Sequence, residues 1–206
     1  MNHLNAGHYE KCLFITGPMG SGKSTFLKKL QLNVDDRKNP EKSDLQVSYV
    51  DLDDEILSKK SSEKDLCQLI ESVGLEKFRT WEREVLIELI KGDGTSSRKN
   101  RILVVALGGG TLNALTWESI FNAHPMRQKH WRIIWIDTPF AECYQRCQED
   151  EKKKGNTRPL MKLSKDELSA LYYERLSWYR RAHLRLIPSQ LVHLSNIRDL
   201  LDLALY

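Results

Sequence analysis

Short apolar runs recur along the chain and are separated by longer segments with helical spacing of apolar and polar residues. The runs at residues 12–16, 102–107 and 133–137 are almost continuously apolar, which is typical of strands covered on both faces. Strands that alternate with helices indicate βαβ units and a parallel sheet. We therefore predict a three-layer α/β fold in which helices cover both faces of a five-stranded parallel sheet. The predicted strands are residues 12–16, 47–51, 102–107, 133–137 and, with the weakest pattern, 191–194.

The helical segments carry recognisable start signals. Thr138 is a capping residue directly before Pro139, and proline is favoured at the first helical position. Ser164 and Glu167 have the spacing of a capping box. One helix is predicted to start at Gly22, and the others to cover residues 63–73, 76–90, 114–122, 140–151 and 165–185. The polar stretches 35–44 and 92–101 predict surface loops.

Composition suits one globular domain over residues 1–206, since 40% of the residues are hydrophobic and 29% are charged. No apolar run predicts a membrane span and the first residues do not form a secretory signal, so we expect a cytoplasmic protein. The net charge is +4, but basic residues are spread out, which argues against a nucleic-acid partner. The cysteines form no CxxC pair and predict reduced thiols; they are Cys12, Cys67, Cys143 and Cys147.

The most specific motif matches GxxxxGK[ST] between a predicted strand and a predicted helix. Its glycines let backbone N–H groups close around phosphate oxygens, and the helix N-terminus adds partial positive charge. Lys23 is expected to contact the β- and γ-phosphates of ATP, and the Ser24 hydroxyl to bind Mg²⁺. GTPases, ATPases and small-molecule kinases share this P-loop motif, so it does not identify the acceptor. The nucleotide-binding set is Gly17, Gly20, Ser21, Gly22, Lys23, Ser24 and Thr25.

Carboxylates follow the second predicted strand. Ligands bind at the carboxyl ends of strands in open α/β sheets, so Asp51 and Asp53 are expected to face the same crevice as the P-loop. They share a face of an extended stretch, where one could orient Mg²⁺ and the other could accept a hydroxyl proton. Asp54 and Glu55 also suit the first turn of a helix, where the macrodipole favours negative charge.

Five motifs, from these aspartates onward, resemble in their order the signature of the shikimate kinases. They are Asp51-x-Asp53, Phe78-Arg79-x-x-Glu82, Gly108-Gly109-Gly110, Arg158-Pro159-Leu160, and Arg175 with Tyr179. The resemblance spans residues 11–186, which is most of the chain. Each of these motifs is weak alone, but five in order with a P-loop are difficult to obtain by chance.

The resemblance implies a fold like that of nucleoside monophosphate kinases, with a mobile lid at about residues 150–163. It implies transfer of the ATP γ-phosphate to the 3-hydroxyl of shikimate. Asp53 would take the hydroxyl proton, while Lys23 and Arg158 would stabilise the transferring phosphoryl group. Ser24 and Asp51 would hold Mg²⁺.

The resemblance also implies a site for the acceptor. Guanidinium groups bind a carboxylate bidentately, and by resemblance Arg79 and Arg175 supply them. Glu82 lies one helical turn after Arg79 and could hold its guanidinium in place. The implied substrate-binding set is Asp53, Arg79, Gly108, Gly109, Gly110 and Arg175. On the nucleotide side, the resemblance adds Arg146 and Arg158.

The chain departs from the family pattern at Leu75, where the family has Glu, and at Ser177, where it has Pro. The short sequence after Leu194 predicts a reduced loop against adenine. Two alternatives remain open: a kinase of a sugar acid such as gluconate, and a nucleotide-binding regulatory relative without turnover. For either kinase we expect a monomer whose partner is a small-molecule substrate, with no nucleic acid and no membrane.

Overall fold

The computed structural model describes residues 9–33, 45–61, 63, 65–92, 100–123, 130–154 and 159–205. Five parallel strands form one sheet in the order β2-β3-β1-β4-β5, which confirms the predicted five-stranded parallel sheet. The strands are β1 (Lys11–Thr16), β2 (Gln46–Asp51), β3 (Arg101–Ala106), β4 (Trp131–Ile136) and β5 (Leu184–Leu186).

Helices cover both faces of this sheet, so the three-layer prediction is also confirmed. They are α1 (Lys23–Leu32), α2 (Leu52–Lys60), α3 (Leu66–Val73), α4 (Leu75–Lys91), α5 (Ala114–Thr116), α6 (Phe140–Lys154), α7 (Lys165–Tyr179), α8 (Pro188–Leu191) and α9 (Ile197–Leu205). A π-helical turn, Trp117–Asn122, continues α5, and a 3₁₀ turn, Pro159–Lys162, precedes α7.

Alternate residues of β1 supply the two halves of the core. Phe14 packs with Leu52 of α2 and Leu86 of α4 on one face. Leu13 packs with Leu200 of α9 and with the apolar side of α1 on the other. Successive strand residues point to opposite faces, so a strand buried on both sides must be apolar at every position. Each fully buried side chain of this size contributes about 1.5–3 kcal/mol.

The strand order places the site. On one side of β1 lie β3 and, beyond it, β2. On the other side of β1 lie β4 and β5. Such a reversal opens a crevice at the carboxyl ends of the strands. The P-loop follows β1, Asp51 ends β2, and the triple glycine follows β3, so all of them meet at this edge.

The prediction of a fifth strand at residues 191–194 is wrong, as is that of a helix through residue 185. Helix α7 ends at Tyr179, and the chain turns so that Leu184 pairs with Ile134 of β4. Leu191 instead ends α8, which starts at Pro188. The exposed edge of β4 supplies the hydrogen bonds that make the three-residue segment Leu184–Leu186 a strand.

Two more helices besides α8 were not predicted as elements. Asp51 caps α2, because its side chain accepts from the backbone N–H of Asp53 at 3.2 Å. Asp54 and Glu55 lie in the first turn of α2, as the helix-start interpretation of these residues expected. Helix α9 lies beyond the last predicted element and buries one apolar face on the sheet.

Other sequence predictions agree with the structure. Ser164 and Glu167 form both bonds of the capping box, and all the cysteines are free and buried. The predicted loops 35–44 and 92–101 lie mostly outside the described residues, although Arg101 is the buried first residue of β3. Across the described helices, none combines the length and the apolar character that crossing a bilayer requires.

Candidate active site

The P-loop joins β1 to α1 with the geometry that the motif predicts. Gly20 has φ of 79°, in the left-handed region that favours glycine, and a Cβ there would lie 2.8 Å from Sγ of Cys147. The ammonium of Lys23 donates to the carbonyls of Gly17 at 2.8 Å and Pro18 at 2.9 Å. The loop is therefore fixed from within by its own lysine and from outside by the packing of α6.

A cleft of about 530 Å³ extends from the P-loop on the nucleotide side. Arg146 of α6 lies at its edge, where Nη1 donates to the carbonyl of Gly20 at 3.4 Å. Ser24 and Thr25 are exposed at the start of α1 and line the same cleft. The lining residues are Gly20, Ser21, Gly22, Lys23, Ser24, Thr25, Phe26, Lys29, Arg146, Glu149, Asp150, Pro188, Leu191 and Val192. Every described member of the predicted nucleotide set except Gly17, which lies at the start of the loop, lines this cleft.

Two oxygen groups that suit Mg²⁺ lie together beside the P-loop. The Ser24 hydroxyl donates to Oδ2 of Asp51 at 2.6 Å, so the predicted pair is in direct contact. A hydroxyl and a carboxylate fit the oxygen preference of Mg²⁺, which takes only one or two protein groups when phosphates supply the rest. The donor set therefore fits the ion that the motif implies.

Asp53 lies between the P-loop and the acceptor side. Its Oδ1 is buried and, within the described residues, has no hydrogen-bond partner. Burial, followed by the negative charges of Glu82 and Asp51, raises the pKa of Asp53 to about 7, against the opposing charges of Lys23 and Arg79. A carboxyl group with this pKa can hold or release a proton near neutral pH.

Glu82 is buried, with 1% exposure, and is held from two sides. Arg79, one helical turn earlier, donates to its Oε2, as the sequence spacing predicted. Thr111, just after the triple glycine, donates to Oε1 at 2.5 Å. A buried carboxylate needs partners of this kind, and here they also fix the direction of the Arg79 guanidinium.

Two guanidinium groups converge on Gly110. A Cβ at this glycine would lie 2.8 Å from Nη2 of Arg175, and the guanidinium of Arg79 is as close or closer. Burial lowers the pKa of Arg175, and the charge of Arg79 adds to this effect. Two like charges brought together in a partly buried place indicate a site for an anion.

The triple glycine connects the two halves of the crevice. A Cβ on Gly109 would lie 3.2 Å from the backbone N of Met19, so this strand end lies against the P-loop. A Cβ on Gly108 would lie 3.0 Å from Oδ1 of Asp53. The hydroxyl of Tyr179, which is fully buried, donates to the carbonyl of Gly109 at 2.5 Å. Side chains larger than hydrogen would separate these groups.

Sequence reasoning placed most of these residues but missed two contacts. Thr111 was not singled out, and the only signal for it was its position directly after the glycines. Lys29 of α1 was also missed; it donates to two carbonyls near the C-terminus. The predicted residue Arg158 and the lid residues 155–157 lie outside the described residues. Leu160, which follows them, lines a small apolar cavity with Met19 of the P-loop.

Comparison with known proteins agrees with this geometry. The family model of shikimate kinase matches residues 19–198. A shikimate kinase of Persephonella marina is 32% identical over 174 residues, which cover 84% of this chain and 87% of that protein. Another, from a Sulfurihydrogenibium species, is 29% identical over 187 residues, covering 88% and 93%.

Solved structures show the same fold. A shikimate kinase from Acinetobacter baumannii in complex with shikimate aligns with a TM-score of 0.57 and 25% identity, covering 85% of this chain and 82% of that one. A gluconokinase from Sinorhizobium meliloti aligns with a TM-score of 0.53 and 12% identity, covering 95% and 91%, so the fold alone does not select the acceptor. The family match covers most of the chain and distinguishes between these families: the chain belongs to the shikimate kinase family.

Proposed function

We propose that this protein transfers the γ-phosphate of ATP to the 3-hydroxyl of shikimate, giving shikimate 3-phosphate and ADP. The observation that carries the proposal is the convergence of Arg79 and Arg175 on Gly110, within reach of Asp53 and the P-loop. Guanidinium forks suit an acceptor that bears a carboxylate, and the family match favours shikimate over a sugar acid, which bears one too.

The arginine pair binds the carboxylate of shikimate. Arg79 is oriented by the buried Glu82, so one guanidinium edge is already taken and the other faces Gly110. Arg175 comes from α7, so the two forks approach from different elements and set the orientation of the ring between them. Backbone N–H groups of the triple glycine add neutral contacts on the same side.

Asp53 receives the proton of the attacking hydroxyl. The oxygen attacks the γ-phosphorus, the bond from that phosphorus to the β–γ bridging oxygen breaks, and the proton moves to a carboxylate oxygen of Asp53. Phosphoryl transfer has a loose transition state, so the main task of Asp53 is to orient the hydroxyl. A pKa near neutrality allows it to take the proton as well.

Positive charge on the donor side stabilises the transferring group. Lys23, released from the loop carbonyls that it contacts here, reaches the β- and γ-phosphates. Ser24 and Asp51 hold Mg²⁺, which neutralises phosphate charge when bound. We extend the proposal to Arg158 and the lid at residues 150–163. Leu160, two residues after Arg158, lines the same small cavity as Met19 of the P-loop, which supports a lid that closes there.

A measurement of ADP release with each acceptor tests the proposal. Shikimate should stimulate ADP release and gluconate should not; the reverse result would favour the sugar-acid alternative. Tight binding of both ATP and shikimate without ADP release would favour the regulatory alternative.

A matched pair of variants on α4 tests the arginine pair. Arg79→Lys should raise KM for shikimate by about tenfold or more, because lysine cannot bind bidentately. Arg83→Lys is the control: Arg83 lies one turn further along the same helix and contacts Thr80. Equal KM values in the two variants would contradict the assignment of Arg79.

A further inference from the structure

Lys29 joins the P-loop helix to a segment near the C-terminus. Its ammonium donates to the carbonyl of Leu191 at 2.8 Å and to that of Val192 at 2.9 Å. Lys29 belongs to α1, which begins at the P-loop lysine, so these bonds connect the phosphate-binding element directly to the chain after β5. They are charge-assisted bonds to two successive carbonyls, which fix the direction of the segment as well as its distance.

The segment held in this way, residues 188–192, forms one wall of the nucleotide cleft. Pro188, Leu191 and Val192 line it, together with Arg146, Glu149 and Asp150 of α6. The P-loop lines the same cleft, so a nucleotide that binds its phosphates there has room to place its ribose and base along this wall. Apolar side chains on a cleft wall suit the flat face of a base.

The segment has other restraints, since Leu191 packs against the core on one face of the sheet and the Gln190 side chain accepts from the backbone N–H of Ile187, but its elements are short. It follows a three-residue strand at the sheet edge, and its own helix, α8, has four residues. Val192 is 69% exposed. Beside the packing of Leu191, the two bonds from Lys29 connect this short segment directly to α1.

We propose that Lys29 is a positioning residue for the nucleotide donor: it holds residues 188–192 against the base and ribose through the two carbonyls. It does not act on the phosphates. The proposal rests on the nucleotide role proposed above for this cleft, but not on the identity of the acceptor.

Binding of two ligands that differ only beyond the phosphates tests this role. ADP carries base, ribose and phosphates, whereas inorganic tripolyphosphate carries phosphates alone. Isothermal titration of Lys29→Met should show ADP affinity lowered by about tenfold and tripolyphosphate affinity unchanged within about twofold. Lys28→Met is the matched control, because Lys28 is its exposed neighbour on α1, and it should leave both affinities unchanged. Lys29→Arg, which can still donate to both carbonyls, should restore ADP binding.

Two results would overturn the proposal. Equal weakening of both ligands would mean that Lys29 acts on the phosphates or on the P-loop helix. Unchanged ADP affinity would mean that the tether does not position the segment. If thermal unfolding shows that Lys29→Met does not fold, Lys29→Gln replaces it. This variant must also lower the affinity for ADP while leaving the affinity for tripolyphosphate unchanged. Because no step measures shikimate turnover, a failure of the acceptor assignment gives a different result from a failure of this proposal.

Discussion

Replacing Gly110 with alanine tests the anion site with a single added carbon atom. Gly110 is not among the glycines with positive φ, so its backbone accepts alanine without strain. The new Cβ would lie 2.8 Å from Nη2 of Arg175 and 2.8 Å from Cζ of Arg79. Both distances are shorter than an ordinary contact, so the guanidinium groups must move.

The size of the effect follows from how freely each arginine can move. Ordinary carbon contacts begin at about 3.5 Å, so Arg175 must retreat by roughly 0.7 Å, and Arg79, whose Nη2 is the atom nearest to the added Cβ, must retreat further. Arg79 cannot retreat without disturbing its bond to Glu82, which is buried. Loss of one charge-assisted interaction with the substrate corresponds to about 1.5–3 kcal/mol, or about a ten- to hundredfold rise in KM for shikimate.

Steady-state kinetics with shikimate varied at saturating ATP measures this effect. We expect KM for shikimate to rise while KM for ATP stays near wild type. Gly74→Ala is the control: its Cβ meets nothing within 4 Å, but its φ of 81° makes alanine strained, so stability falls and KM does not change. An unchanged KM for shikimate in Gly110→Ala would refute the placement of the carboxylate between the two arginines.

Three further predictions concern the base, the metal and pH. Asp53→Asn should lower kcat by about a hundredfold or more in the ADP-release assay, and near-normal turnover would exclude it as base. Ser24→Ala should raise the Mg²⁺ concentration for half-maximal activity by about tenfold, since only Asp51 of the pair remains; an unchanged Mg²⁺ titration would count against the site. Partial burial lowers the pKa of His183 below its usual 6.5, and its Nδ1 accepts from the N–H of Ile133 at 3.0 Å. The folded state therefore favours the neutral ring, and stability should fall as pH drops below 6.5. His183→Gln should remove part of this loss; an unfolding free energy that falls equally with pH in the two proteins would contradict the prediction.

The parts of the fold that were predicted correctly are those whose structure depends on nearby residues. The continuous apolar runs of β1, β3 and β4 follow from burial on both faces, which any register of pairing would require. The capping box at Ser164 is likewise a bond between residues three apart. Such features need no knowledge of the rest of the molecule.

The elements that were predicted wrongly depend on contacts between residues far apart in the sequence. Leu184–Leu186 is too short and too mixed in polarity to be identified from its own sequence, and it becomes a strand because the edge of β4 is open. The same limit applies to the site. The contact of Arg79 with Glu82 could be predicted from helical spacing, whereas that of Thr111 with Glu82 joins residues 29 apart and could not.

The strand order explains why a single glycine run contacts both the P-loop and the proposed acceptor site. Because β3 lies between β2 and β1, the chain leaving β3 passes between the carboxylates that end β2 and the P-loop that ends β1. Gly108 faces Asp53, Gly109 faces Met19, and Gly110 faces the arginines, so successive residues meet the proposed base, the P-loop and the proposed acceptor site. A side chain at any of the three would push apart groups that phosphoryl transfer requires in contact. The absence of side chains here is thus a consequence of topology, and the same reasoning predicts that alanine at Gly108 disturbs Asp53 and Glu82 rather than the nucleotide.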